Sequence, residues 1–389
     1  MSRTPVQTNV QTNMPTQMKT PITTQTKTHM KTQMKTTTQS HAHTGFDRLP
    51  VVDISGLYSE DRGTREATAR ELDRAAREAG FFYVTGHRVT REQQAALIEH
   101  AQRFFAADEK WKMDYYIGKS IASSIAHRGY VPEGEEVFAS GKRDRKEAFD
   151  TGRDLPVDDP DVLAGTPMLG PNIWPDQPGF REAVSEYYAA AFALGKTLFR
   201  GFSLALGLPE SHFERYLTKP PSQLRLIHYP FDASAEDRPG IGAHTDYECF
   251  TILMPTAPGL EVMNGEGTWI DAPPIDNAFV VNIGDMLEVW TGGTYVATSH
   301  RVRKVAQERY SFPLFFACDY ETVVAPLPEF ATPEAVARYA PVAAGDHLFA
   351  QTAQSFTYLK QRLERGELIL PDGSKALASF GQQARYAES

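Results

Sequence analysis

The feature that most constrains the fold is a change of pattern at Gln223. Upstream, the sequence favours helices, whereas downstream short runs of branched and aromatic residues alternate with turn residues. Short strands at regular spacing are typical of β-sandwiches and jelly rolls. Within them, Asn264-Gly265-Glu266-Gly267 is a strong hairpin signal. The predicted strands cover residues 224–229, 250–254, 260–263, 268–270, 278–283, 296–299 and 310–316.

Helical segments flank this β-rich region. Charged, alanine-rich composition predicts helices over 62–78 and 91–106, and a long apolar pattern predicts one over 180–206. Two early strands are expected, at 49–54 and 81–84, and helices return at 333–339 and 345–365. We therefore predict an α+β fold. Its helical N-terminal part covers 46–222, its jelly-roll core 223–320 and its C-terminal helices 331–365.

The first 45 residues differ from the rest of the chain. They consist mainly of Thr, Gln, Lys and Met in a loose repeat, with no acidic residue and no apolar periodicity. Such a segment cannot bury enough surface to offset the entropy of ordering, so we expect a disordered tail. It lacks the apolar region of a secretory signal, and a transit peptide is the weaker alternative. No linker divides residues 46–389, which predicts a single domain.

Charge and cysteine content exclude several classes of protein. The tail carries five positive charges, which leaves a net charge of −14 on the remainder, whereas nucleic-acid binding requires a basic face. No run approaches the roughly 18 apolar residues of a membrane span. Cys249 and Cys318 are the only cysteines, so no disulfide framework is predicted and a cytoplasmic location is expected. The expected partner is a small molecule, not a nucleic acid or a membrane.

Two histidines and one aspartate form a candidate metal site. His244 and Asp246 are two residues apart, so on a strand or at its end both side chains point to the same side. His300 follows 54 residues after Asp246, and the intervening strands offer a path back across a jelly roll. Two imidazoles and a carboxylate on one face of an octahedral ion leave the other face open, as in non-haem Fe(II) oxygenases.

Other interpretations of these residues stay open. Zinc accepts two histidines and one aspartate when water completes the tetrahedron. Taken alone, a His-X-Asp sequence is usually just part of a polar loop, and His300 alone would be a hydrogen-bonded or surface histidine. Cys249 is better explained as a small buried thiol than as a further ligand.

Arg309 and Ser311 favour the metal interpretation. They too are two residues apart, so they share a strand face, and a guanidinium with a hydroxyl suits a carboxylate. Tyr229 would add a phenol to the same anion. A hairpin over 304–308 would place Arg309 beside the strand that carries His300. A single arginine is more commonly a surface cation. What favours a binding role is that Arg309 and Ser311 occur as a pair at a fixed distance from His300 in the sequence.

Several ordered motifs resemble the isopenicillin N synthase-like branch of the 2-oxoglutarate/Fe(II) dioxygenases. They are Gly242–Tyr247, Asn282–Leu287, Thr298–Val302 and Arg309–Ser311, with further similarity at 49–53, 80–82, 128–130 and 146–150. The resemblance spans residues 46–365 and implies a double-stranded β-helix core. It implies that His244, Asp246 and His300 bind Fe(II). It also implies that Arg309 and Ser311, helped by Tyr229, bind the distal carboxylate of 2-oxoglutarate.

The resemblance implies a dioxygenase that uses O₂ and converts 2-oxoglutarate to succinate and CO₂ while it oxidises a C–H bond of a small metabolite. Hydroxylation is the expected outcome, and desaturation or ring formation are alternatives. Two rival functions remain. One is an Fe(II)/O₂ oxidase of the isopenicillin N synthase kind without 2-oxoglutarate, and the other is a non-catalytic jelly-roll binding protein. A zinc hydrolase would leave Arg309 and Ser311 without a purpose.

Four residues are candidates for substrate contact. Arg225 lies four residues before Tyr229, so on a strand both face the cavity, where Arg225 pairs with a substrate carboxylate or forms a structural salt bridge. Tyr247 follows a predicted metal ligand and borders the pocket. Phe316 is a core residue, a substrate wall or both. Glu136 lies in a loop that resembles the lid region of bacterial ethylene-forming and fungal pyrimidine-hydroxylating relatives.

The chemical nature of the substrate is only partly indicated. A cationic or amide group would give the Glu136 carboxylate a role, whereas a solvated loop acid is the alternative. Residues 226–230 depart from the Asn-Tyr-Tyr-Pro pattern of plant flavonoid and hormone enzymes. That departure favours small polar metabolites, amino acids or a bacterial specialised metabolite as the substrate.

Overall fold

The computed structural model describes residues 45–119, 125–137, 145–231, 240–303 and 307–376. The predicted tail therefore lies outside the described residues, except for its last residue. The strands are β1 (Val51–Asp53), β2 (Phe81–Thr85), β3 (Gly129–Val131), β4 (Glu147–Gly152), β5 (Gln223–Tyr229), β6 (Ile241–His244), β7 (Phe250–Pro255), β8 (Leu260–Met263), β9 (Trp269–Asp271), β10 (Phe279–Ile283), β11 (His300–Val302), β12 (Arg309–Phe316), β13 (Val323–Val324) and β14 (Val342–Ala343).

The helices lie before, within and after this series of strands. They are α1 (Arg62–Glu78), α2 (Arg91–Phe105), α3 (Glu109–Lys112), α4 (Pro160–Leu163), α5 (Phe180–Ala205), α6 (Asp285–Trp290), α7 (Pro333–Arg338), α8 (Ala344–Ser355) and α9 (Thr357–Glu364). Short 3₁₀ segments occur at Ile54–Tyr58, Met113–Tyr115, Glu214–Tyr216 and Pro328–Phe330. Within the described ranges, no helix is both long enough and apolar enough to span a membrane.

Two main sheets build the core. Among the described residues, eight strands form one sheet in the order β1-β2-β10-β7-β12-β5-β4-β3, and four form a second in the order β6-β11-β8-β9. All neighbours are antiparallel except β1 and β2. Strands distant in sequence lie side by side, as in a jelly roll. The predicted α+β jelly-roll architecture is confirmed.

Helix α5 covers one face of the large sheet. Its buried residues recur every three or four positions, at Phe180, Val184, Tyr187, Ala191, Leu194, Leu198 and Phe202, which is the spacing of an apolar helical stripe. Phe199 packs against Phe250 of β7 with a centroid distance of 4.9 Å. At Gly195 a Cβ atom would collide with the ring of Phe316 on β12, so glycine permits the close approach of α5 to the sheet.

Some local predictions are confirmed and others are wrong. Residues 264–267 do form the turn of a hairpin, in which Met263 of β8 pairs with Trp269 of β9. The predicted hairpin between β11 and β12 is wrong, because β11 pairs with β6 and β8 while β12 pairs with β5 and β7. The predicted strand at 296–299 is absent from the described structure, where the strand begins at His300. The C-terminal helix is interrupted at Phe356.

Candidate functional site

The small sheet brings the three predicted metal ligands together. His244 ends β6 and lies directly opposite His300 of β11 in the strand register. The Oδ1 atom of Asp246 is 3.7 Å from Nε2 of His244 and 3.6 Å from Nε2 of His300. One ligand atom from each residue lies within 4.8 Å of the others, and among the described residues this is the cluster with metal-binding geometry.

Hydrogen bonds orient each of the three side chains. Nδ1 of His244 lies 2.8 Å from the carbonyl of Gly242, and Nδ1 of His300 lies 3.2 Å from that of Thr298. Each Nδ1 can therefore donate its proton and leave Nε2 with a lone pair for a metal. Burial, reinforced by the neighbouring His300, lowers the pKa of His244 to about 4. The imidazole is thus neutral near pH 7, as a metal ligand must be.

The aspartate is held by its other oxygen. Oδ2 of Asp246 accepts a hydrogen bond of 2.5 Å from Oγ1 of Thr251 and one of 2.6 Å from Nδ2 of Asn282. Oδ1 is left to face the two imidazoles. Two imidazole nitrogens and one carboxylate oxygen form a donor set that fits Fe(II).

Arg309 lies across the cavity, on the large sheet. It starts β12 opposite Tyr229 of β5, it is fully buried, and its guanidinium carbon lies 4.6 Å from the centre of the Tyr229 ring. Nε donates to the carbonyl of Ala257 at 3.1 Å. Among the described residues, Nη1 and Nη2 have no hydrogen-bond partner. Burial lowers the pKa of Arg309, but an arginine stays charged in proteins.

A buried guanidinium with two unused nitrogens is costly unless an anion pairs with it. Ser311, two residues further along β12, lines the same cavity as Arg309 and Tyr229. The cation, the hydroxyl and the phenol therefore line one cavity with groups that can bind a carboxylate.

One cavity contains both groups of residues. It encloses about 880 Å³, including its opening to solvent, and is lined by both sheets and by the α8–α9 junction. Arg225 and Tyr229 both face it, as the alternation along β5 predicts. Glu136 and Tyr247 also line it.

Arg225 is engaged in a structural ion pair, one of the two roles expected for it. Its Nε and Nη2 atoms donate to both carboxylate oxygens of Asp150 at 2.7 and 2.9 Å. Nη1 donates to Glu136 at 3.2 and 3.3 Å. The rings of Phe315 and Phe356 flank the guanidinium, at 5.8 and 5.3 Å. A substrate carboxylate would have to compete with two acids that already hold this arginine.

Glu136 belongs to the same network. It is 6% exposed, and its Oε2 accepts a 2.5 Å bond from Lys146 as well as the bond from Arg225. Burial alone would raise the pKa of Glu136, but the charges of Lys146 and Arg225 outweigh burial and lower it to about 2. The carboxylate is therefore ionised and held in place at the cavity wall.

Phe316 does not line the cavity, so of the two roles expected for it the structure agrees with the core residue and not with the substrate wall. It is fully buried on the opposite face of β12, stacked on Phe250 at 4.9 Å and packed against Phe199 at 5.5 Å. Successive strand residues point to opposite faces, and it is Phe315 that faces the cavity.

Lys146, Glu248, Thr251 and Asn282 are among the cavity residues that the sequence analysis did not single out. Glu248 could have been found from the sequence, because it lies two residues after Asp246. Burial, together with repulsion from Asp246, raises the pKa of Glu248 to about 8. Asn282 and Thr251 approach Asp246 through strand pairing between β10 and β7, a long-range contact that no local pattern encodes.

Comparison with known proteins agrees with this geometry. Residues 49–177 match the family model of the non-haem dioxygenase N-terminal region, named for morphine synthesis, and residues 220–317 match that of the 2OG-Fe(II) oxygenase superfamily. The 2-oxoglutarate-Fe(II) type oxidoreductase hxnY of Emericella nidulans is 32% identical over 344 residues, which cover 85% of this chain and 97% of hxnY. The chain belongs to the 2OG-Fe(II) oxygenase superfamily.

Two further similar proteins are informative because a ligand is named for each. Homoarginine-6-hydroxylase 2-ODD-C23.1 of Arabidopsis thaliana is 36% identical over 303 residues, covering 73% of this chain and 89% of that protein. The crystal structure of a full-length Neurospora crassa protein in complex with alpha-KG and thymine is 26% identical, with a TM-score of 0.67 and coverage of 84% of this chain and 99% of that one.

Membership establishes the reaction class that the sequence predicted. The protein is a 2-oxoglutarate-dependent Fe(II) dioxygenase that uses O₂ and acts on a small molecule. An oxidase that does not use 2-oxoglutarate and a non-catalytic binding protein are not favoured.

Proposed function

We propose that His244, Asp246 and His300 hold Fe(II), and that Arg309 and Ser311, with Tyr229, bind the distal carboxylate of 2-oxoglutarate. The observation that carries this assignment is the pair of unused nitrogens on a fully buried Arg309, in the same cavity as the His244–Asp246–His300 cluster. A buried cation in this position is explained by an anionic ligand.

When bound, Fe(II) and 2-oxoglutarate supply the oxidising chemistry, in which O₂ is reduced as 2-oxoglutarate loses CO₂ and becomes succinate. The chain's own residues orient and confine the reactants. Thr251 and Asn282 keep Oδ1 of Asp246 directed at the metal. Arg309 fixes one end of the co-substrate, and the cavity walls keep the substrate C–H bond near the metal and away from bulk water.

We propose that the substrate is a small polar molecule with N–H groups and that it is hydroxylated. Glu136 is a fixed, ionised acceptor at the cavity wall, since Lys146 and Arg225 hold it. Tyr247 lines the same wall. Homoarginine and thymine, named for two similar proteins, both carry N–H donors that such an acceptor would bind. Arg225 then acts by positioning Glu136.

We further propose that residues 46–389 form one cytoplasmic oxygenase domain, whose partner is a small molecule and neither nucleic acid nor membrane. The large sheet supports a single domain, because it joins β1–β4 of the N-terminal part to strands of the jelly roll. The two buried, unpaired cysteines agree with a reducing compartment.

The residue assignment is tested by anaerobic spectroscopy. Fe(II) and 2-oxoglutarate added to the purified protein should produce a metal-to-ligand charge-transfer band and one bound iron per chain. His244→Ala should lose both the iron and the band, whereas His212→Ala, at a residue that does not line the cavity, should keep both. An undiminished band in His244→Ala would contradict the assignment.

A further inference from the structure

The cavity wall contains a buried amide that the proposed function does not use. Gln223 is the first residue of β5, lines the cavity and is 5% exposed. Its Nε2 atom has no hydrogen-bond partner among the described residues. An amide N–H that is removed from water without a partner is costly. As with the unused nitrogens of Arg309, a ligand would explain it.

Strand pairing explains why the protein provides no acceptor for this amide. In the strand register Gln223 lies between Gly152 of β4 and Phe315 of β12. Directly opposed residues share a face of the sheet, and neither glycine nor phenylalanine has a side chain that accepts a hydrogen bond. Phe315 also lines the cavity. The cross-strand neighbours of Gln223 therefore leave its amide unpaired.

Arg309 and His127 also line the cavity with buried nitrogens that lack a hydrogen-bond partner in the described part of the chain. The proposed function assigns Arg309 to the co-substrate. Nε2 of His127 lies 3.6 Å from Oδ2 of Asp150, and its Nδ1 lies 2.8 Å from the hydroxyl of Tyr358. Neither the co-substrate nor a neighbouring acid accounts for Gln223.

Gln223 lies at the end of the cavity wall that is away from the co-substrate residues. At one end of the β5–β12 pair, Arg309 is opposite Tyr229. At the other end, Phe315 is opposite Gln223. The seven residues of β5 extend over about 20 Å, and 2-oxoglutarate held at Arg309 is far shorter than this. The amide therefore faces the space that is left for the substrate.

An amide N–H requires an acceptor, and the charges around Gln223 favour a neutral one. Arg225, two residues further along the same strand face, pairs with Asp150 and Glu136. Lys146 pairs with Glu136 as well. A substrate carboxylate here would be a buried charge beside cations that two acids already match, which costs more than burying a carbonyl group. A carbonyl oxygen accepts from Nε2 and adds no charge.

We propose that Gln223 is a specificity-determining residue whose Nε2 donates a hydrogen bond to a neutral carbonyl oxygen of the substrate. This inference rests on the proposed function, in which Glu136 accepts from a substrate N–H group, and it narrows the substrate class. Both side chains adjoin Arg225, since Glu136 is bonded to it and Gln223 lies two residues away on the same face. An acceptor and a donor so placed recognise an amide, an imide or a ureide, in which a carbonyl stands beside an N–H group.

The test compares neutral probes that have the same shape and differ in their acceptor. Pyrrolidinone, a cyclic amide, is paired with pyrrolidinethione, and succinimide, a cyclic imide, with its dithio analogue, because sulfur accepts hydrogen bonds more weakly than oxygen. Each is titrated anaerobically into the protein loaded with Fe(II) and 2-oxoglutarate, at a pH where every probe is neutral, and the shift of the charge-transfer band gives a Kd. In the wild type we expect each carbonyl probe to bind about 5- to 30-fold more tightly than its thiocarbonyl partner.

Gln223→Met keeps the length of the side chain and removes its N–H donor. We expect the ratio of each pair to fall to about threefold or less, through weaker binding of the carbonyl probes. The melting temperature should not fall, because no partner within the protein is lost. Gln223→Leu serves if the first variant does not fold. Gln102→Met is the matched control, because Gln102 is an exposed glutamine of α2, and it should keep the wild-type ratios.

The outcomes separate this inference from the function on which it rests. A wild-type ratio below about threefold, an unchanged ratio in Gln223→Met, or no response to either carbonyl probe would overturn the role of Gln223. Equal binding of pyrrolidinone and its N-methyl derivative would instead overturn the proposed acceptor role of Glu136. Absence of the charge-transfer band in the wild type before any probe is added would overturn the proposed metal and co-substrate assignment.

Discussion

Replacing Arg309 by methionine should separate its role in binding from any role in stability. Methionine has a similar length and no charge, so the change removes the proposed partner of the co-substrate carboxylate while filling most of the space. Truncating one partner of a buried, hydrogen-bonded charge pair costs about 2–5 kcal/mol. We therefore expect the Kd and KM for 2-oxoglutarate to rise by about 30- to 5000-fold.

The same substitution should not destabilise the protein without 2-oxoglutarate. There the wild-type guanidinium is desolvated, with Nη1 and Nη2 unpaired among the described residues. Removing an uncompensated buried charge is neutral or stabilising by about 1–3 kcal/mol. The melting temperature of Arg309→Met alone should therefore equal or exceed that of the wild type, and added 2-oxoglutarate should no longer raise it.

Two measurements check this prediction: the 2-oxoglutarate dependence of succinate formation and the melting temperature with and without 2-oxoglutarate. Arg303→Met is the matched control, because Arg303 is a partly exposed arginine paired with Asp271 at 3.0 Å, and it should behave as the wild type does. The reasoning is refuted if Arg309→Met changes the KM for 2-oxoglutarate by less than about threefold, a difference below 1 kcal/mol.

Three further outcomes are expected. Asn282→Ala should weaken Fe(II) binding by about 10- to 100-fold, measured by competition with a chelator, since it frees Oδ2 of Asp246. The free energy of unfolding of the wild type should fall as the pH drops from 4.5 towards 2, because ion pairs hold the pKa of Glu136 at about 2. In Glu136→Gln this loss should be smaller by about 3 kcal/mol. Unfolding of both proteins is followed by circular dichroism. Phe316→Leu should lower the free energy of unfolding by about 1 kcal/mol and leave the KM for substrate unchanged. A changed KM would show that Phe316 borders the substrate.

Helices were the most predictable part of the fold. The prediction of 62–78 matches α1 residue for residue, because alternating charged and small apolar residues mark an amphipathic helix and Gly80 follows its end. The strand pairing was less accessible. The partners of β11 and β12 lie far away in the sequence, so a local turn signal suggested a hairpin that does not form.

In the site, too, local spacing was predictable from the sequence and long-range contacts were not. Spacing of two residues correctly placed His244 with Asp246, and Arg309 with Ser311, on shared faces. The sequence left two roles open for Arg225, and the choice depended on Asp150, an acid 75 residues away that only the register of β4 with β5 brings opposite it. Lys146 escaped notice for a related reason, because what distinguishes it is its ion pair with Glu136 in three dimensions.

The central claim is that this chain couples 2-oxoglutarate decarboxylation to substrate oxidation at the His244–Asp246–His300 site. The most direct measurement supplies the Fe(II)-loaded protein with labelled 2-oxoglutarate, O₂ and a substrate that shifts the charge-transfer band. We predict one succinate for each substrate oxidised, dependence on Fe(II), and loss of both products in His300→Ala. Substrate oxidation without labelled succinate, or unchanged turnover in His300→Ala, would contradict the claim.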